Sequence, residues 1–182
     1  MRYVKIAGIE ALKKAGFSQH IIKSISRGVS WKSVVAKAMK IDPKKIKKAL
    51  SILIGNKEYY VREAVAEDLN TPPSILKILA NDKEADVRCE VASNPNTSVD
   101  TLKKMTDDKD WYVRQKLAER LDAPWSILRK FADDKDRSVR YRVATHPNVS
   151  TAILKKLAND RNLFVRNMAR ERLEKATAPN KN

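Results

Sequence analysis

The 182-residue sequence predicts an all-α fold, namely an α-solenoid of two-helix, 26-residue repeats that follows a basic N-terminal helical cap. Three observations predict this class: a strict internal period, apolar residues spaced along one helix face, and a composition with only four glycines and 6% aromatic residues. Arrays with periods of about 20–50 residues stack because a single repeat cannot bury its own apolar face.

The period is visible when the sequence is aligned with itself. Segments that begin with Val-Arg start at Val61, Val87, Val113 and Val139, and a partial fifth copy starts at Val165. Each start lies 26 residues after the previous one. Copies that keep one register over this length indicate a repeat array.

Each repeat carries the pattern of two short helices. One begins near a proline or serine, residues favoured at helix N-termini, at Pro72, Ser98, Pro124 and Ser150. Its apolar residues at i and i+3 form one buried stripe and are Leu76 and Leu79, Leu102 and Met105, Leu128 and Phe131, and Leu154 and Leu157. The other helix carries the Val-Arg pair and small alanines, and Asn-Pro-Asn or His-Pro-Asn breaks end it in two repeats.

A turn residue lies six positions before the arginine of each repeat. It is an aspartate in four repeats, while Arg62 has Asn56 there. An arginine can bridge turn carboxylates and backbone carbonyls of adjacent repeats. Because every repeat carries this residue, we predict a structural arginine ladder, with ligand contact as the alternative. The ladder consists of Arg62, Arg88, Arg114, Arg140 and Arg166.

This pattern resembles the leucine-rich repeat variant family, whose repeats read roughly as Val-Arg, Val-Ala, Asn-Pro, a leucine-containing short helix and an aspartate turn. It is also similar to HEAT-like repeats, and the resemblance covers about residues 56–173. The resemblance implies a right-handed superhelix of paired helices, one of them short or 3₁₀-like, in a scaffold or binding protein. Some family members carry a cysteine cluster ahead of the repeats. Cys89 is the single cysteine here, so that cluster does not carry over.

We therefore expect three segments. Residues 1–55 form a basic helical segment, residues 56–175 form four to five repeats, and residues 176–182 form a disordered tail. The formal net charge is +16, and residues 1–60 hold 14 lysines and arginines against 3 aspartates and glutamates. This asymmetry predicts a polyanionic partner, nucleic acid before an acidic protein.

Residues 31–50 have two interpretations. The segment WKSVVAKAMKIDPKKIKKAL resembles a helix-turn-helix, which implies that the lysines of its last helix face the major groove or its phosphates. Lys40 stands where that family prefers glycine. Alternatively, Val35 lies 26 residues before Val61, so residues 35–60 form a degenerate capping repeat. A basic cap would also bind nucleic acid, without sequence preference.

Two positions of the short helix, on the side away from its leucines, carry basic residues. One is basic in all four repeats, and the other is basic in three and holds Ile78 in the first. Phosphate contact is the functional interpretation, and a solvated lysine face is the alternative. A third basic position comprises Lys83, Lys109, Lys135 and Arg161. The predicted nucleic-acid-binding residues are Lys32, Lys37, Lys40, Lys44, Lys45, Lys47, Lys48, Lys103, Lys104, Arg129, Lys130, Arg142, Lys155 and Lys156.

Aromatic side chains occupy variable positions of the Val-Arg helix. The predicted partner contacts are Tyr60, Trp111, Tyr112 and Tyr141, and Phe164 and Gln115 share these variable positions. Aromatic rings beside cations stack nucleobases or anchor a peptide. Filling gaps between repeats is the alternative.

Motifs for catalysis or metal binding are not found. The sequence has no HExxH, phosphate-loop or GxSxG pattern, so we expect no enzyme, no cofactor and no metal. Some HEAT-like DNA glycosylases use an aspartate among tryptophans, and that resemblance makes Asp110, Trp111 and Trp125 a minor alternative.

The sequence favours a non-catalytic nucleic-acid-binding protein, for DNA, with low sequence specificity. The alternative is an interaction scaffold that binds an acidic or peptide partner. No apolar run approaches 18 residues, and the N-terminal sequence does not resemble a signal peptide. With its single cysteine, this leads us to expect a cytoplasmic protein that does not enter a membrane.

Overall fold

The computed structural model describes Ser51 and residues 53–177. Residues 59–177 contain nine α-helices, and the described residues include no strand, which confirms the all-α prediction. The helices are α1 (Tyr59–Glu67), α2 (Pro73–Leu79), α3 (Ala85–Ser93), α4 (Val99–Met105), α5 (Trp111–Glu119), α6 (Trp125–Phe131), α7 (Arg137–Thr145), α8 (Thr151–Leu157) and α9 (Leu163–Thr177).

Several sequence predictions fall outside the described residues. They are the helix-turn-helix or capping repeat of residues 31–50 and its lysines Lys32, Lys37, Lys40, Lys44, Lys45, Lys47 and Lys48. At the other end, α9 continues to Thr177, two residues into the segment expected to be a tail.

Long and short helices alternate along the chain. The Val-Arg helices α1, α3, α5 and α7 have nine residues each and begin at Tyr59, Ala85, Trp111 and Arg137. The intervening helices have seven residues each and are α-helical rather than 3₁₀. The chain divides into two compact units, Met1–Thr101 and Leu102–Asn182.

The short helices begin where the sequence offers a suitable cap. Ser150 Oγ accepts the Ile153 N–H at 3.3 Å, and Ser98 Oγ accepts the Thr101 N–H at 3.3 Å. Pro72 and Pro124 take the same position in the other repeats, where no N–H is required. The serine caps and the prolines thus set the first residue of each short helix.

Buried leucines and valines join the two kinds of helix. In the second compact unit, α6 packs against α5 and α7, while α8 packs against α7 and α9. Leu128 and Phe131 of α6 are buried, as are Val113 of α5 and Val139 of α7, and the small buried Ala118 and Ala144 let the long helices approach closely. In the first compact unit, α1 packs against α3 and α2 contacts both.

Each ladder arginine donates to the turn that precedes its own helix. Arg140 Nη1 donates to the carbonyls of Asp134 at 2.8 Å and Lys135 at 3.2 Å. The corresponding Nη1 atoms of Arg62, Arg88, Arg114 and Arg166 donate to turn carbonyls six residues earlier. The guanidinium therefore fixes its helix to its own turn.

The same guanidinium reaches the turn of the following repeat. Arg140 Nε lies 2.7 Å from Asp160 Oδ2, and Nη2 donates to Asp160 Oδ1 at 2.9 Å. Only 5% and 6% of these two side chains are exposed. Arg114 binds Asp134 and Arg62 binds Asp82 with the same two-bond geometry, a planar pairing that lysine cannot make.

These contacts change the pKa values of both partners. The hydrogen bond to Asp160 raises the pKa of Arg140 above its ordinary value. Burial by itself raises the pKa of Asp160, but hydrogen bonds from Arg140 and the Asn162 N–H, with the nearby positive charge, outweigh it. The pKa of Asp160 is therefore lowered, and that of Asp82 is lowered in the same way.

A second row of polar side chains joins the C-terminal ends of the long helices. Asn94 Nδ2 donates to the carbonyls of Ala66 at 2.7 Å and Asp68 at 2.9 Å. Arg172, which lies at the same repeat position, donates to Ala144 O at 2.9 Å and His146 O at 2.6 Å. We refer to Asn94, His146 and Arg172 as the carbonyl staples.

His146 shows how this position accepts different residues. Its buried Nε2 lies 2.7 Å from Arg120 O, and its Nδ1 accepts the Asn148 N–H at 3.1 Å. A backbone N–H can only donate, so the ring is the neutral Nε2–H tautomer. Asn94 makes the equivalent pair of bonds, since its Oδ1 accepts the Asn96 N–H at 2.9 Å.

We predict that Asp160→Ala lowers the free energy of unfolding by about 3–5 kcal/mol, because it leaves the Arg140 guanidinium buried without its carboxylate. Urea denaturation followed by circular dichroism measures this change. Asp133→Ala is the matched control, since its ion pair with Lys156 is exposed and contributes about 0–1 kcal/mol. Equal effects of the two substitutions would contradict the prediction.

The lowered pKa values predict how stability depends on pH. Asp82 and Asp160 bind fewer protons in the folded chain than in the unfolded chain, where an aspartate has a pKa of about 3.9. Their contribution is therefore complete above that pH and is lost as the pH falls towards the lower folded pKa. We expect the urea midpoint of the parent chain to decrease once the pH drops below about 4. In the double variant Asp82→Asn/Asp160→Asn, this decrease should be smaller. A double variant with the parent's acid profile would refute this assignment.

We predict that His146→Ala destabilises the fold by about 1–3 kcal/mol, because a buried carbonyl and N–H lose their partner. His146→Asn supplies the same donor and acceptor and should retain most of the stability. Thermal denaturation of both variants tests this expectation. Similar losses in the two variants would show that ring volume, rather than hydrogen bonding, matters at this position.

Candidate nucleic-acid interface

The predicted basic positions of the second compact unit lie on exposed surfaces of the short helices and the turn region beside them. Because α6 and α8 pack their leucine faces onto the long helices, the opposite side of each is left to solvent. The exposed predicted side chains there are Lys103, Lys104, Arg129, Lys130, Lys155 and Lys156. We call this surface the basic side.

Two lysines of the basic side form ion pairs with the preceding turn. Lys130 Nζ lies 2.6 Å from Asp107 Oδ1, and Lys156 Nζ lies 2.5 Å from Asp133 Oδ2. All four side chains are largely exposed, so each pair contributes about 0–1 kcal/mol and exchanges easily for another anion.

The neighbouring row of the basic side consists of Lys103, Arg129 and Lys155. Among the described residues, no salt bridge involves these three side chains. Arg129 lies over the indole ring of Trp125, with its guanidinium carbon 5.3 Å from the ring centroid. This row therefore presents positive charge at regular intervals.

The exposed surface of the long helices has mixed chemistry. Trp111 and Tyr112 meet edge to face with ring centroids 5.6 Å apart, and Lys116 lies 5.0 Å from the centroid of the Tyr112 ring. Burial by itself lowers the pKa of Lys116, but the Tyr112 hydroxyl and the Glu119 charge outweigh it and raise the pKa. Lys116 thus keeps its positive charge.

Glu119 gathers three donors on this surface. Its carboxylate accepts from Gln115 at 2.7 Å and Lys116 at 3.4 Å, and it lies 2.9 Å from Arg142 Nε. Arg142, a predicted nucleic-acid contact, is therefore held against α5. Tyr60 lies in the first compact unit, with its ring 5.9 Å from that of Tyr59.

Two adjoining clefts open where α7 and α9 begin. The first has a volume of about 490 Å³ and is lined by Lys135, Asp136, Arg137, Arg140, Arg161 and Asn162. The second has a volume of about 350 Å³ and is lined by Gln115, Arg137, Ser138, Tyr141, Arg142, Asn162 and Phe164. They share Arg137 and Asn162, so we call them together the paired cleft.

The carboxylate of Asp136, which lines the paired cleft, already accepts a hydrogen bond from the backbone. Asp136 Oδ1 accepts the Ser138 N–H at 2.7 Å and caps α7, and Arg140 is committed to Asp160. Arg161 donates through Nη2 to Lys135 O at 2.9 Å, which leaves most of its guanidinium for other partners. Lys135, Arg137 and Arg161 therefore give the cleft a positive character.

The structure brings together only some of the residues predicted from sequence. Tyr141 and Arg142 share the paired cleft with Gln115, while Lys103, Arg129 and Lys155 lie on the basic side. Sequence reasoning missed Arg137 and Asn162 as cleft residues and did not place Phe164 among the partner contacts. Sequence variability could have identified Arg137, because the same position holds a different residue in every other repeat. These residues are Tyr59, Ala85, Trp111 and Leu163.

Asp110, the aspartate of the minor glycosylase alternative, lies at the beginning of α5. It is the N-cap of α5, and its Oδ1 accepts the Tyr112 N–H at 2.7 Å.

Across the described part of the chain, no three His, Cys, Asp or Glu side chains cluster closely enough to hold a metal ion. None of the helices in that part is both long and apolar enough to span a bilayer.

Comparison with known families identifies one repeat directly. The leucine rich repeat variant family matches residues 85–110, which run from the first residue of α3 to the residue before α5. The match confirms the resemblance predicted from the sequence pattern. Comparisons with curated proteins and with solved structures gave no match.

Proposed function

We propose that this chain is a non-catalytic nucleic-acid-binding protein with low sequence specificity. The observation that carries the proposal is the row of Lys103, Arg129 and Lys155, three exposed cations at the same position of successive repeats, with no acidic partner among the described residues. Lysine and arginine held in this way neutralise phosphates and release counterions without requiring a particular base sequence.

The charge of the first third of the chain supports the same function. Residues 1–60 carry 14 basic against 3 acidic side chains, and both interpretations of residues 31–50 direct lysines towards phosphates. DNA is the expected ligand if that segment is a helix-turn-helix. We also propose that the helices form a right-handed superhelix of 26-residue repeats, which serves as the scaffold. The proposed location of the protein is the cytoplasm.

An interaction scaffold is the second candidate, and exposed apolar side chains favour it. Leu121 is 71% exposed and Trp125 is 55% exposed at the beginning of α6. A peptide with acidic and apolar residues would cover both this patch and Arg129. Binding to such a surface depends weakly on salt, whereas phosphate contact depends on it steeply.

We predict that the intact chain binds a short DNA duplex with a steep salt dependence. Neutralising about five or six phosphates gives a log–log slope near −5. The variant Lys103→Gln/Arg129→Gln/Lys155→Gln should reduce the magnitude of that slope by about 0.9 for each phosphate that is no longer neutralised. Fluorescence anisotropy across a salt series measures both slopes.

The matched control removes three positive charges elsewhere, in Lys83→Gln/Arg170→Gln/Lys175→Gln. It carries the same net charge as the first variant, so it should keep the parent slope if position matters. Absence of binding by the folded, intact chain at moderate salt would refute the proposed function. Equal slopes for both triple variants would refute the role of the basic side.

A further inference from the structure

We propose that the paired cleft binds one unstacked nucleotide of a single strand, with its base against Phe164 and Tyr141 and its phosphate near Lys135, Arg137 and Arg161. This inference rests on the proposed function and specifies single-stranded nucleic acid as the ligand. The two clefts supply an aromatic part and a cationic part, and the shared Arg137 lies between them.

The aromatic part offers an open ring surface. Phe164 is 69% exposed although it lines a cleft, and Tyr141 lines the same cleft from α7. Covering this exposed apolar ring with a planar group is favourable, because apolar surface is then removed from water. Nucleobases stack on such rings with little sequence preference, because every base has a π-face.

The cationic part suits a phosphate next to that base. Lys135, Arg137 and Arg161 line the first cleft, and its carboxylate Asp136 is engaged by the Ser138 N–H. Arginine binds phosphate oxygens in a planar, two-bond geometry, which gives orientation as well as charge. An acidic peptide would satisfy the charges, but the exposed ring favours a planar group.

The fold holds the two parts in a fixed relation. Asn162 Oδ1 accepts the N–H groups of Phe164 at 3.1 Å and Val165 at 3.4 Å, so the beginning of α9 is fixed. The Arg140–Asp160 pair ties α7 to the turn that precedes α9. Because these contacts exist before binding, little conformational entropy is lost when the ligand enters.

The geometry favours a single strand over a duplex. In a duplex the faces of the bases are covered by their neighbours, and only edges are available in the grooves. The face of the Phe164 ring can be covered only by a base that has left the stack. The cleft volume of about 350 Å³ lies within the range of about 300–1,000 Å³ typical of small-ligand pockets.

The test uses the intact chain and a short single-stranded oligonucleotide that carries one 2-aminopurine. The emission of this base rises when it leaves the stack of neighbouring bases and falls when it stacks on an aromatic ring, so we expect binding in the cleft to change its fluorescence. Phe164→Ala should alter this fluorescence change and weaken single-strand binding about 5- to 150-fold, the effect of one stacked base. Its salt slope should stay unchanged, since no cation is removed.

Leu163→Ala is the matched control, because Leu163 is an exposed apolar residue next to Phe164 and does not line the paired cleft. It should bind the oligonucleotide and change its fluorescence as the parent chain does. Lys135→Gln/Arg161→Gln should instead reduce the magnitude of the single-strand slope, by about 0.7 for each phosphate that is no longer neutralised. Thermal denaturation verifies that each variant is folded.

The outcomes separate this inference from the proposed function. If the chain binds duplex and single strand equally and Phe164→Ala behaves like Leu163→Ala, the nucleotide site is refuted while nucleic-acid binding stands. If polyglutamate displaces the oligonucleotide as effectively as unlabelled oligonucleotide, the cleft is an acidic-peptide site and the inference is refuted. If neither nucleic acid binds, the proposed function fails and the inference fails with it.

Discussion

The buried pair between a repeat arginine and the aspartate of the following turn is the constraint on which the described structure depends. Placing both charges in a site that is only about one-twentieth exposed is costly, and the cost is offset only when the geometry gives every guanidinium nitrogen a hydrogen-bond acceptor. Arg114 and Arg140 achieve this by dividing the guanidinium between a carboxylate and two carbonyls. One side chain thereby fixes its own turn, its helix and the next turn.

The carbonyl staples perform a related task with less strict chemistry. They require a donor that reaches the end of the preceding long helix, and asparagine, histidine and arginine all provide one. The arginine ladder requires a planar group with several donors in fixed directions, which only arginine supplies. One repeat position is therefore constant and the other varies, although both carry interactions between repeats.

With both ends of the long helices fixed, the remaining exposed side chains stand at regular and reproducible positions. The second compact unit therefore has two distinct surfaces, the basic side and the paired cleft. The basic side carries charge that needs no exact geometry, and the paired cleft combines cations with an open aromatic ring. Weak, exposed pairs such as Lys156–Asp133 and Arg142–Glu119 can exchange partners, whereas the buried ladder cannot.

The sequence by itself determined the period, the two-helix repeat, the apolar stripes and the constant arginine, because each depends on local spacing that recurs in every copy. It also showed where positive charge accumulates. Only the tertiary structure decided which carboxylate each arginine meets, since that partner lies 20 residues further along the chain. The same applies to His146, whose neutral ring bonds to a carbonyl 26 residues earlier, and to the placement of Arg137 and Phe164 in the lining of one cleft. Side chains from different helices converge only after packing, and a pattern within one helix carries no record of that convergence.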